Sequence, residues 1–530
     1  MSDLNADAAG GETVRRGMRI VLSGSIRGLT PRGSPGCGWA QTSEGEKSMR
    51  VMEFPQSLVR AGVARRDITP PVGIYHRMWG AATHDQSTGV HRPLTATALA
   101  VAPREEDGAA GTPIVMLSVD HCLLWNTEMR AVLNAASTSG AADQDNVILF
   151  FTHTHAAGLM GLERRELPGG DLIPDYLTRL GTTIAALVAE SVDSLQPAVM
   201  QYAAGRCDLA ANRDFFDEET DQYVCGLNPE GSSDDTVLVV RVSAGEQGTL
   251  ATLVNYACHP TTLAWDNTLI SPDYVGALRE VVESSEGAPC FFMQGASGDI
   301  GPREGYVGDT AVADRNGRQL GYAALAALEG LPPPETRYRY AGPVISGATI
   351  GTWEYEPIGA EQRQRAAAWI AHRSIVPLRY RDDLGDADAL QADRTRWEKQ
   401  EIEAVSAGEG ERAREARAML ERITRKLTRI GSLPTGDSYP YPLRAWRMGE
   451  AVWLAYDGEH YNVLQRALRE RFPGTPIVLG TLANGSHVWY LPDAESYGKG
   501  LYQESASVLA KGSLETLIEA SSAAIEELVG

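Results

Sequence analysis

The sequence predicts an α/β protein with a helical hairpin inserted into its main fold. Two observations carry the α/β reading: short apolar runs rich in Val, Ile and Leu end repeatedly in turn-forming residues, and segments of helical spacing alternate with them. A third carries the insertion: residues 360–430 become charged and poor in β-branched residues. A chain of 530 residues allows one large α/β domain or two.

Ordered structure is expected from near Leu58. The stretch from Val63 to Pro71 reads as a strand ending in a proline-stiffened loop, and residues 94–102 and 114–120 as further strands. Residues 127–136 and 175–195 have helical spacing. Residues 146–151 are a continuous apolar run, expected of a buried strand. Residues 236–242 and 250–257 form a strand pair joined by a glycine-containing turn. A helix over 272–285 precedes a strand over 290–294, which runs into Gly295-Ala-Ser-Gly-Asp299. In the insertion, Leu420, Ile423, Leu427 and Ile430 make an apolar stripe at helical spacing. Leu390, Trp397, Ile402 and Val405 mark an earlier helix, with Gly408 and Gly410 at the turn. The stripe needs a cover, either the mouth of the site or a second subunit, which makes a homo-oligomer one expectation. The Lys/Arg run beside it reads as a solvated face. Residues 451–456 and 477–482 return to strand, and 513–528 form a last helix.

A formal net charge of −21 argues against a phosphate backbone or an anionic membrane as the main partner, and reads as simple solubility. The six cysteines contain no C-x-x-C pair, so no zinc ribbon or disulfide framework is implied, and buried free thiols are expected. No stretch reaches the roughly 20 apolar residues of a membrane helix, and no membrane anchor is expected. Residues 1–55 are read as a disordered extension, or a translated upstream region with the true start at Met49 or Met52, and residues 56–530 as the catalytic domain.

Four places put chemistry-capable residues at strand ends, where α/β folds build their sites. The first is Thr152-His153-Thr154-His155-Ala-Ala-Gly158. Histidines two apart at a strand end project to one side, and imidazole is the commonest zinc ligand. The second is Asn255 to Thr262, where His259 ends a strand and Pro260 breaks it. The third is Tyr456 to His460, where Glu459 suits either a metal or the cap of the following helix. The fourth is Trp489-Tyr490-Leu-Pro-Asp493, with Tyr497 and Tyr502 nearby. Arg213 is suited to the site or to a surface pair with Asp214 or Asp217. His121 is suited to ligation or to support. Asp299 is suited to a polar group of the substrate or to holding its own loop.

Taken in order, these pieces resemble the neutral/alkaline non-lysosomal ceramidase family over most of the chain from Val63, apart from the insertion. Gly62 to Pro71, Gly89-Val-His91-Arg-Pro-Leu and the Asn212-Arg213 pair look like family motifs. Residues 152–158 resemble His-Thr-His-Ser-Gly-Pro, and 294–302 resemble the Gly-Asp-Val-Ser-Pro loop. The resemblance implies a mixed-sheet zinc hydrolase domain of neutral-ceramidase type. In it His153, His259, Glu459 and Tyr490 hold Zn2+, and His155, Arg213 and Tyr490 assist catalysis. Tyr497 is the rival tyrosine, and His121 and Asp299 stand beyond the ligands. Zinc lowers the pKa of a bound water to about 7 and so supplies a nucleophile for an amide carbonyl.

Two departures bear on substrate. Gly301 stands where the family has serine, and neither the immunoglobulin-like C-terminal domain nor the secretion signal has a counterpart in the sequence. The expectation is therefore a cytoplasmic amidase acting on a soluble or N-acylated small-molecule amide, with no nucleic-acid partner. A zinc esterase or lactonase, and a true ceramidase acting on N-acylsphingosine, are the alternatives. A dinuclear phosphoesterase on Asp120, His121, His153 and His259 lacks the Asn-His-Asp/Glu run such sites carry. A non-catalytic binding relative sits poorly with an intact ligand set.

Overall fold

Strands that are apolar on both faces need two covering layers, and this chain builds four. The computed structural model describes residues 50–104, 111–138, 140–245 and 248–530. The main sheet has eight strands: β1 (Gln56–Asp67), β2 (Thr95–Pro103), β3 (Ile114–Val119), β4 (Val147–Phe151), β5 (Gln196–Arg206), β6 (Thr236–Ser243), β7 (Thr249–Tyr256) and β8 (Cys290–Gln294). Their order is β8-β7-β6-β5-β1-β2-β3-β4. The sheet is mixed: β7 with β8 and β3 with β4 are parallel, and the other neighbours are antiparallel. A second sheet, in the order β9 (Trp369–Arg379), β10 (Ser438–Met448), β11 (Ala451–Ala455) and β12 (Ile477–Gly480), is antiparallel except for β11 with β12.

The period of two in a strand sorts the side chains between layers. Val115, Leu117 and Val119 of β3 pack with α1 (Asn126–Ser137) and α2 (Ile173–Asp193). Ile114 and Met116 point the other way, into a core shared with Trp446, Trp453 and Val478 of the second sheet. In β6, Leu238 and Val240 join that inter-sheet core, while Val237 and Val239 face α3 (Tyr274–Glu286) and α4 (Thr310–Glu329). The outer face of the second sheet is covered by α7 (Val463–Arg471) and α8 (Ser513–Val529).

The main sheet curls until its edge strands meet. The Ser118 hydroxyl on β3 donates to the Phe292 carbonyl on β8 at 2.7 Å, and the Asn255 amide bridges the carbonyls of Met293 and Leu479 at 3.0 and 2.8 Å. This closure brings the C-terminal ends of β4, β7 and β8 together.

Several expectations change. Val51–Met52 pairs with Arg339 and Tyr338, so regular structure begins before Leu58 and before residue 56; residues 1–49 of the expected extension, with Cys37, lie outside the described residues. The stretch 360–386, read as helical, contains β9, which pairs along its whole length with β10. The insertion's helices are α5 (Ala387–Ala407) and α6 (Gly410–Gly431), turned by Gly408 at φ 71°. Ile402 and Val405, which marked the earlier helix, are more than 60% exposed, at 62% and 64%. Among the described residues no helix is long and apolar enough to cross a membrane.

Candidate metal centre

His153 follows β4 by two residues and holds a left-handed backbone at φ 69°, a conformation that costs a non-glycine residue about 1–3 kcal/mol and clusters at functional sites. Its Nδ1–H donates to the Cys122 carbonyl at 2.7 Å. His259 follows β7, and its Nδ1–H donates to the Ser297 carbonyl at 3.2 Å. Each ring therefore turns a lone pair on Nε2 inward, and the two Nε2 atoms lie only 2.9 Å apart. Glu459 brings Oε2 to 3.1 Å from His153 Nε2 and 3.6 Å from His259 Nε2. Two lone pairs and a carboxylate converging in a buried site repel unless a cation or a proton sits among them. The three ligand atoms lie within 4.8 Å of one another. All three side chains are buried, as a closed metal site requires.

A second possible group, Cys122 with His153 and His155, would need the His153 nitrogen already bonded to the Cys122 carbonyl, so the first group is the better centre. Burial, then Arg213, His153 and His155, holds His259 well below the ordinary histidine pKa, which keeps it a neutral ligand. Glu459 is held below the ordinary carboxylate value: burial pushes it up, but His153 and the Tyr490 hydroxyl outweigh that.

Two close approaches secure the carboxylate. A Cβ on Gly298 would stand 2.7 Å from the Glu459 carbonyl, and Gly298 N–H donates to the His460 carbonyl at 2.7 Å. Gly458 sits at φ 103°, where a Cβ would meet the Trp489 carbonyl at 2.7 Å. Glu459 and Tyr490 then pair as a short parallel bridge. The Tyr490 hydroxyl bonds the Glu459 carboxylate and accepts from Arg213 at 3.1 Å. Glu459 does not cap α7. Arg213 does not pair with Asp214 or Asp217; it donates to the Gly298 carbonyl at 2.7 Å.

His155 stands beside the group, its ring 4.9 Å from that of His153 and 5.2 Å from Trp79. Its Nε2 has no hydrogen-bond partner among the described residues. Burial, then His153 and Arg213, lowers its pKa well below the usual value, so the imidazole is neutral. His155, Arg213, His259 and Tyr490 line a cavity of about 820 Å3. Its far wall is the pair α5–α6, through Leu390, Trp397, Ile423 and Ile430, so the insertion covers the mouth of the site.

The other expected residues lie elsewhere. The His121 side chain turns to the Tyr176 hydroxyl at 2.5 Å, and only its backbone carbonyl serves the site, accepting from His153 N–H. Asp120 is bound twice by Arg279, at 2.5 and 2.6 Å, as a structural ion pair. Asp299 is buried behind the centre, accepting from Asn462 N–H at 2.6 Å and from Asn212; burial and then Asp214 push its pKa up to about 7. It holds its loop. Tyr497 donates to the Leu509 carbonyl at 2.9 Å, away from the centre, whereas the Tyr502 ring lies 5.8 Å from that of Tyr490 and lines the cavity. Gly301 leaves room: a Cβ there would meet only Arg213 and Thr261, at 3.7 Å. Cys225, expected buried, is exposed beside Tyr306.

Sequence reasoning missed Cys122, Trp79 and the basic residues of α6. Arg429 is 7% exposed and lines the cavity with Arg422, Arg425 and Lys426, so the Lys/Arg run is not simply a solvated face. The apolar stripe was a signal that one face of α6 is covered, but not by what.

Comparison with curated proteins found no match. Among solved structures, a neutral ceramidase from Pseudomonas aeruginosa aligns with TM-score 0.57 and 16% identity, over 90% of this chain and 75% of that one. A ceramidase complexed with C2 aligns with TM-score 0.59 and 16% identity, over 90% and 76%. At such identity they show a shared fold. The profile of the family described as neutral/alkaline non-lysosomal ceramidase, N-terminal, matches residues 59–305, the segment that supplies His153, His155, Arg213 and His259. Over residues 59–305, a little under half of its length, the chain is similar to the neutral/alkaline non-lysosomal ceramidase family.

Proposed function

We propose that the protein is a zinc-dependent hydrolase that cleaves the carboxamide C–N bond of a small N-acylated molecule. The observation that carries this reading is the convergence of His153 Nε2, His259 Nε2 and Glu459 Oε2 on one buried point beside the cavity. Two imidazoles and a carboxylate, with the Tyr490 hydroxyl beside them, are a donor set that zinc accepts. A zinc ion held by His153, His259, Glu459 and Tyr490 would supply Lewis acidity and an acidified water. The Cys122 and Ser297 carbonyls keep both ligand rings in the tautomer this needs. Arg213, buried at the cavity wall, is a fixed cation for the charge that develops on a carbonyl oxygen. His155, neutral and unpartnered at Nε2, can carry a proton to a departing amine. The family's name supports an amide bond, and a cavity of about 820 Å3 lies within the range of small-molecule sites.

A panel of paired amides and esters, including long-chain ceramide in detergent, tests this. Amide hydrolysis should vanish on chelation and return with zinc. Full turnover by the metal-free protein, or cleavage of esters alone, would sink the proposal. Preference for long-chain ceramide by kcat/KM would make the protein a true ceramidase.

A further inference from the structure

In a chain of formal net charge −21, the cavity beside the metal centre is lined by seven arginine and lysine side chains and three carboxylates. Each of the carboxylates already has an arginine. Asp383 holds Arg381 through two bonds of 2.7 Å, Asp393 pairs with Arg396 at 3.0 Å, and Glu421 pairs with Arg164 at 2.9 Å. Arg422, Lys426 and Arg429 are left with no carboxylate at ion-pair distance among the described residues. They stand four and three residues apart on α6, and so share one helix face, where like charges repel.

Arg429 is the innermost of the three. Its guanidinium lies 3.4 Å from the centroid of Trp489, the residue before Tyr490, and donates to the Ala506 carbonyl. Its Nε, buried, has no partner. Burial lowers its pKa, opposed by Tyr502 and Glu459, but at about 10 it stays charged at neutral pH. A buried cation satisfied only by a carbonyl and a ring is costly unless an anion joins it. Trp79, Trp265, Tyr306 and Trp397 give the same cavity an aromatic wall suited to an acyl chain.

We propose that the amide cleaved here bears a carboxylate on its amine side, as in an N-acyl amino acid, and that Arg429, Lys426 and Arg422 receive that carboxylate. The inference rests on the hydrolase reading above. Water adds its oxygen to the acyl carbon, the C–N bond breaks, and a proton passes to the departing nitrogen. The products are a carboxylic acid and a free amino acid.

The test compares an N-acyl amino acid with the same compound carrying a primary amide in place of its carboxylate, on the zinc-loaded full chain. The charged substrate should be preferred by at least roughly tenfold in kcat/KM, the scale of a hydrogen bond to a charged group. Lys426→Gln and Arg429→Gln should bring that ratio towards one, chiefly through KM. If Arg429→Gln does not fold, the double variant Arg422→Gln/Lys426→Gln takes its place. Calorimetric binding of the uncleavable ketomethylene analogue (CO–CH2 for CO–NH), with and without its carboxylate, separates the two readings. Carboxylate-selective binding that the variants lose, without turnover of any amide, would refute the hydrolase and keep the anion site. Efficient cleavage of both substrates without preference, or equal losses on both in the variants, would overturn the anion site and leave the hydrolase standing.

Discussion

Removing His259 tests the metal centre most directly. His259→Ala deletes one Nε2 from a group in which it lies 2.9 Å from His153 Nε2 and 3.6 Å from Glu459 Oε2. The backbone bond from His259 N–H to the Ile300 carbonyl, 3.1 Å, does not depend on the ring. If an apparent zinc-binding free energy of roughly 10–16 kcal/mol is shared over four donors, each carries about 2.5–4 kcal/mol. Zinc affinity should then fall by about two to three orders of magnitude. Competition with a chromophoric chelator measures this. Thermal or urea unfolding gives an independent reading: zinc at a hundredfold excess over Kd stabilises the native protein by about 2.7 kcal/mol. At the same free zinc the variant should gain no more than about 0.4 kcal/mol. One zinc per chain at unchanged Kd in His259→Ala would refute the ligand assignment, and with it the reason the two imidazoles face each other.

Three further outcomes follow from the same geometry. His155→Ala and Arg213→Lys should keep zinc and lose roughly 10²-fold or more in rate; loss of metal from either would make that residue a ligand. Gly298→Ala drives a Cβ to 2.7 Å from the Glu459 carbonyl, so it should weaken zinc binding and lower the melting temperature; a variant with native metal affinity would show that the loop shifts freely. Glu421, which binds Arg164 at 2.9 Å and the Tyr75 hydroxyl at 3.1 Å, anchors α6. Burial raises its pKa, but Arg164 and Arg425 hold it down to about 2, below the ordinary 4.5. Its contribution is therefore complete above pH 4.5 and lost as pH falls towards 2. Glu421→Gln should destabilise the protein at pH 7, by less than the roughly 3–5 kcal/mol of a fully orphaned buried charge, because Arg164 loses Glu421 but keeps Glu163. Urea unfolding of wild type and variant should converge near pH 2, and a gap that persists there would exclude the ion pair as its cause.

Sequence alone determined the local alternation and the chemistry at its ends. The apolar runs at 114–120, 146–151 and 290–294 stand close to β3, β4 and β8, because burial on both faces leaves a continuous signal that no tertiary partner needs to supply. The histidines, Glu459 and Tyr490 were legible as strand-end residues in a recognisable order. Strand β10 was not, because Pro440 and Pro442 argue against a strand. The structure accepts them because β11 pairs only with Arg444–Met448, leaving the proline half of β10 bonded on one side. Likewise, strand β9 was lost among charged residues whose apolar partners come from elsewhere in the chain. What only the tertiary structure decided is which ends meet. His153 and Glu459 are 306 residues apart, and they touch because β4 and β8 adjoin in the curled main sheet and the segment after β11 docks on the loop after β8, where Gly298 N–H donates to the His460 carbonyl. The facing of α6 was decided in the same way. A run of basic residues has the same pattern in sequence whether water or a cavity lies opposite, and the balance between solvating and burying those charges depends on the wall they meet.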